Sequence, residues 1–366
     1  MRTSTRVGVY CGALTALLGV VVVGSATVGP VDIAPLAVAK ATLNVFGVPA
    51  GLDVGLGTAS LLGRPVPVPA VDVSYFRPFS FGVSPVTETI VTEIRLPRIL
   101  LGAVVGFALG AAGTVMQGFF RNPMADPSII GVSSGAAVGA VATIALPLAL
   151  PFGLQTAAFV GALAAAFGVY LIATEGGRTP VATLLLAGVA VQTFLGAVIS
   201  YLLLHAGRSV EEALFWLMGN LADSRWAEVE VTAVVTLVVF LGIYAYAHDM
   251  NVLLLGESDA QTVGIRVERT KRVLLALSSV VTAGAVAVAG VIGFVGLIVP
   301  HILRLLVGPD HRVLLPTSAL GGAVFLVATD TVARAGAAEL PVGIVTAALG
   351  APFFLFLLRR REVHEL

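Results

Sequence analysis

Few residues in this 366-residue chain have types and spacing that could do chemistry. The five histidines, His205, His248, His301, His311 and His364, form no HExxH motif and no paired ligand spacing, so they supply no zinc site. His301, next to Pro300, reads as a packed or interfacial side chain. The two lysines, Lys40 and Lys271, do not follow a glycine. The Gly-Lys-Ser/Thr cradle that holds nucleotide phosphates is therefore absent, and this chain does not bind ATP that way. Cys11 stands alone and cannot close an internal disulfide. Asp330 is a carboxylate well inside a long apolar stretch, and Arg334 lies one helical turn further on, the spacing of a local ion pair. No serine-histidine or paired-aspartate set suggests a membrane protease. Catalysis is disfavoured, and transport or passive scaffolding remains.

The elements that carry these residues follow from composition. Hydrophobic residues make up 57% of the chain and charged residues 11%, with a mean hydropathy of +1.00. Soluble domains carry roughly 25% charged residues. A chain this apolar cannot cover itself with polar surface, so its solvent is a bilayer. Net charge is zero, and nothing points to nucleic acid. A span needs about 20 mostly apolar residues. Clear candidates lie at 7–28, 96–118, 152–174, 182–204, 228–247, 272–292 and 341–358, and weaker ones at 133–150, 294–307 and 313–333. The expectation is an all-α, polytopic membrane protein, one transmembrane domain over 1–366 with about ten transmembrane helices. Arg2 and Arg6 precede an apolar run, Val7 to Val28, that exceeds the 7–15 residues of a signal-peptide core, so a retained first helix is expected.

Basic residues set the expected orientation. With the N-terminus inside, Arg2, Arg6, Arg121, Arg178, Arg266, Arg269, Lys271, Arg272, Arg312, Arg359, Arg360 and Arg361 fall inside. Lys40, Arg64, Arg77, Arg95, Arg98, Arg208, Arg225 and Arg334 fall outside. That excess, with an even span count, predicts both termini in the cytoplasm of a cell-membrane protein. Gly102, Gly106 and Gly110, and again Gly131, Gly135 and Gly139, recur every fourth residue, which predicts close helix packing.

Three non-apolar stretches remain. The extracytoplasmic segment 29–94 contains "APLAVAKATLNVFG", able to form a short interfacial helix, and "GRPVPVPAVDVSYFRP", which reads as an extended, proline-stiffened loop. It is assigned no chemistry. "QGFFRNPMADPSIIGVSSG" (117–135) is an irregular, charged break between two apolar runs. The inner segment 248–271, "HDMNVLLLGESDAQTVGIRVERTK", predicts a short helix with Leu253, Leu254, Ala260 and Val263 on an apolar side and Glu257 and Asp259 exposed. An apolar side on a loop helix suits docking to a cytoplasmic partner.

The chain resembles the BtuC/FecCD-type permease subunits of type II ABC importers, the family that takes up cobalamin, ferric siderophores and haem. Five blocks carry the likeness: "IRLPRILLGAVVGFALGAAGTVMQGFFRNPMADPSIIGVSSGA" (94–136), "LLLAGVAV" (184–191), "LLLGESDAQTVGI" (253–265), "GFVGLIVPHILRLLVGPDHRVLLP" (293–316) and "AELPVGIVTAALGAPFFLFLL" (338–358). The blocks run in family order from residue 94 almost to the end, whereas 29–93 matches only loosely.

The resemblance implies a homodimer of this chain with the substrate path on its two-fold axis. Two cytoplasmic ABC ATPase subunits would use ATP and Mg, and an extracytoplasmic binding protein would deliver cargo, with no cofactor bound by this chain itself. It implies that Gly256, Glu257, Ala260 and Gly264 form the coupling helix seated on the ATPase. Arg95, Arg98 and Arg334 would receive acidic knobs of the binding protein, and the 117–135 break would lie at the protein-lined inner end. "PHILRL", "DHRVLLP" and "AELP-G-VTA-LGAP" point to cobalamin as cargo, with ferric siderophore or haem as the alternative. The chain departs from the family at the inner gate. Pro180, Val181 and Ala182 stand where cobalamin permeases place small hydroxyl residues, and an apolar gate would have to exclude water by dewetting. A proton- or sodium-coupled transporter, the reading from a different class, would need deep ionisable residues and inverted repeats that this sequence lacks.

Overall fold

A computed structural model describes residues 3–45, 48–61, 64–76, 78–146, 153–336 and 338–360. In chain order come α1 (Thr3–Thr27), α2 (Pro35–Val45), and the strands β1 (Val48–Leu61) and β2 (Arg64–Phe76). Next, α3 (Pro85–Thr89) runs through one π-helical stretch, Ile90–Arg95, into α4 (Leu96–Phe120). Then follow α5 (Val132–Ala145), α6 (Gly153–Ala173), α7 (Val181–His205), α8 (Val210–Leu217), α9 (Trp226–Ala245), α10 (Ala247–Leu253), α11 (Glu257–Thr262) and α12 (Val267–Ala289). The chain closes with α13 (Val295–Val307), α14 (His311–Arg334) and α15 (Val342–Arg360).

Among the described residues, seven helices are long and apolar enough to cross a bilayer: α1, the continuous α3–α4 rod, α6, α7, α9, α12 and α14. Three shorter apolar helices, α5, α13 and α15, bring the number to the ten expected. The span at 313–333 is a full 24-residue helix. Its sequence signal is weak because Thr317, Ser318, Thr329 and Asp330 face the protein, where all four are buried. The rod also begins earlier than the apolar run, at Pro85, with the Ser84 side chain accepting from the backbone N–H of Thr87.

The proline-rich segment is more than a loop. β2 pairs with β1 as an antiparallel hairpin, from Val48 opposite Phe76 to Leu61 opposite Arg64. Pro65, Pro67 and Pro69 occupy alternate positions of β2, opposite Ser60, Thr58 and Leu56 of β1. Upstream, "APLAVAKATLNVFG" supplies the helix α2, as expected.

α4 is the centre of the bundle, packed on α14, α12, α13 and α9. Its glycines explain how. A Cβ on Gly106 would fall on the carbonyl oxygen of Gly322, and one on Gly322 would fall on that of Gly106. Gly110 meets the carbonyl of Ser318 and Gly113 that of Gly296 in the same way. Gly135 and Gly161 are a reciprocal pair between α5 and α6. In lipid, where apolar contact alone gives little preference for protein over solvent, such backbone approach is what holds helices together. Gly118, at the far end of α4, lies against the His311 ring at the start of α14. α4 and α14 therefore run antiparallel, and each joins the two ends of the molecule.

Candidate functional site

At one end, the start of α4 meets the close of α14 and of α1. The carboxylate of Asp330 is 1% exposed and accepts from two guanidiniums. Arg98 Nη2 lies 2.8 Å from Oδ1, with its Nε 3.1 Å from both oxygens, and Arg334 Nε lies 3.0 Å from Oδ2. The expected 330–334 pair is therefore present, with Arg98 as an unforeseen third member. Arg98 also donates to Glu339, whose side chain is 45% exposed.

The remaining donors of the cluster serve α1. Arg334 Nη1 donates to Val28 O at 3.0 Å and its Nη2 to Ser25 Oγ at 2.6 Å. Arg95 Nη1 donates to Ala26 O at 2.8 Å, and its Nη2 donates to Val31 O. The last carbonyls of a helix have no partner within it, and here arginines supply one. The structure thus brings Arg95, Arg98 and Arg334 together, and buries all three. They line a cleft of about 350 Å³ with Glu339, Pro30, Val31, Ile90, Ile94 and Ala222.

At the opposite end, the break at 117–135 is built from turns. Arg121 caps α4 in a left-handed conformation (φ 47°), the Asn122 side chain accepts from Met124 N, and Asp126 accepts from Ser128 N at 2.9 Å. Gly131 (φ 82°) then opens α5. Ala125, Pro127 and Ile130 are buried, and Gln192 Nε2 donates to Ile129 O at 2.7 Å. The later part of the bend is thus packed against protein, whereas Arg121 and Asn122 at its start are exposed.

The proposed docking segment folds beside that break, as two short helices instead of one. Gly256 (φ 129°) separates α10 from α11, a conformation open to glycine and strained for other residues. Ala260 is fully buried and packs with Leu253 and Val267. One expectation is corrected here. Val263 is exposed, because the helix ends one residue before it and the chain turns at Gly264 (φ 87°). Leu255, before Gly256, is exposed as well, so the outward apolar residues flanking α11 are Leu255 and Val263. Glu257 stays partly exposed, as expected, with its side chain 41% exposed, and its Oε1 also lies 3.0 Å from Lys271 Nζ. Asp259 is exposed as expected.

Lys271 gave no signal in the sequence beyond its rarity and its position three residues after Glu268. It is buried, donates to Thr179 O at 3.1 Å, lies 3.5 Å from Glu268 Oε1 and sits 5.9 Å from the centre of the Phe119 ring. Thr179 precedes the gate candidates. Pro180 caps α7, with Val181 half-buried and Pro180 and Ala182 exposed. The turn before them is a two-residue hairpin, Glu175 bridged to Arg178 across Gly176 and Gly177, both with positive φ. A second tie at this end joins α10 to α14. Asn251 Nδ2 donates to Asp310 Oδ1 at 2.7 Å, and Asn251 Oδ1 accepts from His311 N at 2.8 Å. Hydrogen bonds from the Arg312 side chain, with that from Asn251, lower the Asp310 pKa to about 2.

These ten helices, tied by charge at both ends, match a known architecture. The sequence profile of the FecCD transport family matches residues 54–360. The chain belongs to that family. It is 58% identical, over the full length of both chains, to the cobalamin import system permease protein BtuC of Halobacterium salinarum. It is 42% identical to the hemin transport system permease protein HmuU of Yersinia pestis, covering 74% of this chain and 83% of that one. Against the vitamin B12 import system permease protein BtuC of Vibrio cholerae, the identity is 39% over 79% and 88% of the two chains. A solved inward-facing metal-chelate type ABC transporter superposes with a TM-score of 0.77 at 29% identity, over 96% of this chain and 98% of that one. This FecCD-family chain is thus a multi-span membrane permease of an ABC importer, with about ten transmembrane helices.

Proposed function

We propose that this permease carries cobalamin across the cell membrane, working as a homodimer with two cytoplasmic ABC ATPase subunits and an extracytoplasmic binding protein. The observation that carries the cargo is the 58% identity to a cobalamin permease over the full length of both chains, where the haem relative matches at 42% over 74% of this chain. Both termini and the α10–α11 segment face the cytoplasm, and the Arg98 end faces outward. ATP and Mg are handled by the partner ATPase, whose seat is α11 with Gly256, Glu257, Ala260 and Gly264, and whose apolar contacts are Leu255 and Val263. The exposed start of α7 at Pro180 and Ala182 lines the path between the two copies, where it closes the inner end by excluding water.

At the outer face, the arginines that would receive the binding protein are already engaged inside the fold. Docking therefore runs through the rim. An acidic knob entering the cleft replaces Glu339 as the partner of Arg98, whereas Arg95 and Arg334 shape the cleft and hold α1. A charge-assisted pair of this kind fixes register and speeds encounter.

A second reading, haem or ferric-chelate import, is favoured by the missing gate hydroxyls and by the Yersinia relative. Uptake of labelled cobalamin by vesicles holding permease, ATPase and binding protein separates the two. Saturable, ATP-dependent cobalamin uptake that haem and ferric chelates fail to compete supports the first. ATP-dependent uptake of an iron chelate without cobalamin uptake overturns it.

A further inference from the structure

Lys271 is the one lysine in the helical bundle's interior, and its ammonium meets three acceptors from three segments. These are Thr179 O, in the turn before α7, at 3.1 Å, Glu257 Oε1, the first residue of α11, at 3.0 Å, and Glu268 Oε1, on its own helix α12, at 3.5 Å. An ammonium has three protons to donate, and here it makes two hydrogen bonds and one longer ion-pair contact. Glu268 in turn lies within reach of Thr179 N, at 3.4 Å from Oε2, so the 179 peptide is held through both its carbonyl and its N–H. The Thr179 hydroxyl is tied to that of Thr174, at 3.0 Å, just beyond the last turn of α6. Behind the ammonium, the Phe119 ring closes off the α4 side.

We propose that Lys271 is the joint through which displacement of α11 reaches the start of α7. The inference rests on the ATPase seating on α11 and goes beyond that reading by naming the residue that carries the movement onward. Lys271 is itself buried, so an ammonium that lost one of these acceptors would be left undercompensated, which is costly. Separating Glu257 from Thr179 does that, so α11, the first turn of α12 and the 174–180 turn move as one body. Pro180, Val181 and Ala182 follow directly on Thr179. Glu257 is thereby a positioning residue paired with Lys271, and the outward docking contacts are left to Leu255 and Val263. A lysine serving only to staple the fold would contribute to stability equally in every transport state and leave coupling untouched.

The test uses the full complex of permease, ATPase and binding protein in proteoliposomes, with cargo uptake and ATP hydrolysis measured together. Lys271→Met is expected to keep the ATPase bound yet lower cargo moved per ATP by ten-fold or more. Lys271→Arg, which restores charge and donors, is expected to recover at least half of the wild-type ratio. The double variant Lys271→Met with Glu257→Gln should be no worse than Lys271→Met alone. Should Lys271→Met not assemble, spin labels at Asp259 and Arg178 in an otherwise wild-type complex still decide the matter. Their separation should stay constant between nucleotide-free and ATP-bound states. A separation that changes, or a Lys271→Met complex with an undiminished uptake-to-hydrolysis ratio, overturns the inference while leaving the transporter reading intact. Failure of the wild-type chain to bind an ATPase at all overturns both.

Discussion

Arg98 on α4 and Asp330 on α14 form a buried pair, Nη2 to Oδ1 2.8 Å, across the two antiparallel helices that span the centre of the bundle. Truncating one partner of a buried pair costs about 3–5 kcal/mol, because the other charge is left behind. Asp330→Asn, which strands two arginines, is expected to lower the unfolding midpoint in detergent sharply. Converting the pair jointly, Arg98→Met with Asp330→Leu, should recover part of the loss. Equal stability of Asp330→Asn and the wild type would mean that the pair contributes nothing.

Glu339 is the exposed member of the same cluster. Glu339→Gln should change stability little, since ion pairs with an exposed partner contribute about 0–1 kcal/mol. It should tighten association with the binding protein several-fold by freeing Arg98, as read by titration calorimetry at two salt concentrations. Weaker association would show that Glu339 helps docking instead of competing with it.

The glycine seam gives a prediction of opposite sign at two positions. An alanine in place of a mid-helix glycine normally gains about 1 kcal/mol. Gly284→Ala, which meets open space, should be neutral or stabilising. Gly106→Ala drives a methyl group into the Gly322 carbonyl and should cost on the order of 3 kcal/mol, with the α4–α14 contact spread. Thermal unfolding of the two variants side by side decides it.

Asp310 supplies a pH dependence. Its side chain caps α14 by accepting from Arg312 N at 3.0 Å, and its pKa is held at about 2, below the ordinary carboxylate range. A depressed carboxylate contributes stability above its unfolded pKa and loses it as pH falls through the folded value. Wild-type stability should therefore decline between about pH 4 and 2. Asp310→Ala should lose about 1 kcal/mol of capping at neutral pH and show a flatter decline. Parallel acid titrations of unfolding in detergent check the difference between the two slopes.

Orientation is testable directly. Reporter fusions after Lys40 and Gly207 should read outside, and fusions after Arg269 and Leu366 inside. An outside signal at residue 269 would break the ten-span arrangement and remove α11 from any cytoplasmic ATPase.

Much of this molecule is written locally. Ten spans, the breaks at 117–135 and 248–271, the glycine seams and the Asp330–Arg334 pair all depend on residues within a few turns of one another, so periodicity and spacing reveal them. The charge partners that matter most are remote. Arg98 and Asp330 are 232 residues apart, and Lys271 and Thr179 are 92 apart. Arg98 and Lys271 occur in the sequence only as basic residues near the ends of apolar runs, and Glu257 only as an acid on a short helix. Which helix ends meet, and hence which charges lose their water and must find each other, is settled when α4 packs against α14 and α11 folds back on α12. Tertiary packing therefore decided that three arginines at one end are interior ties, that Glu257 pairs with Lys271, and that Lys271 joins α11 to the turn before α7.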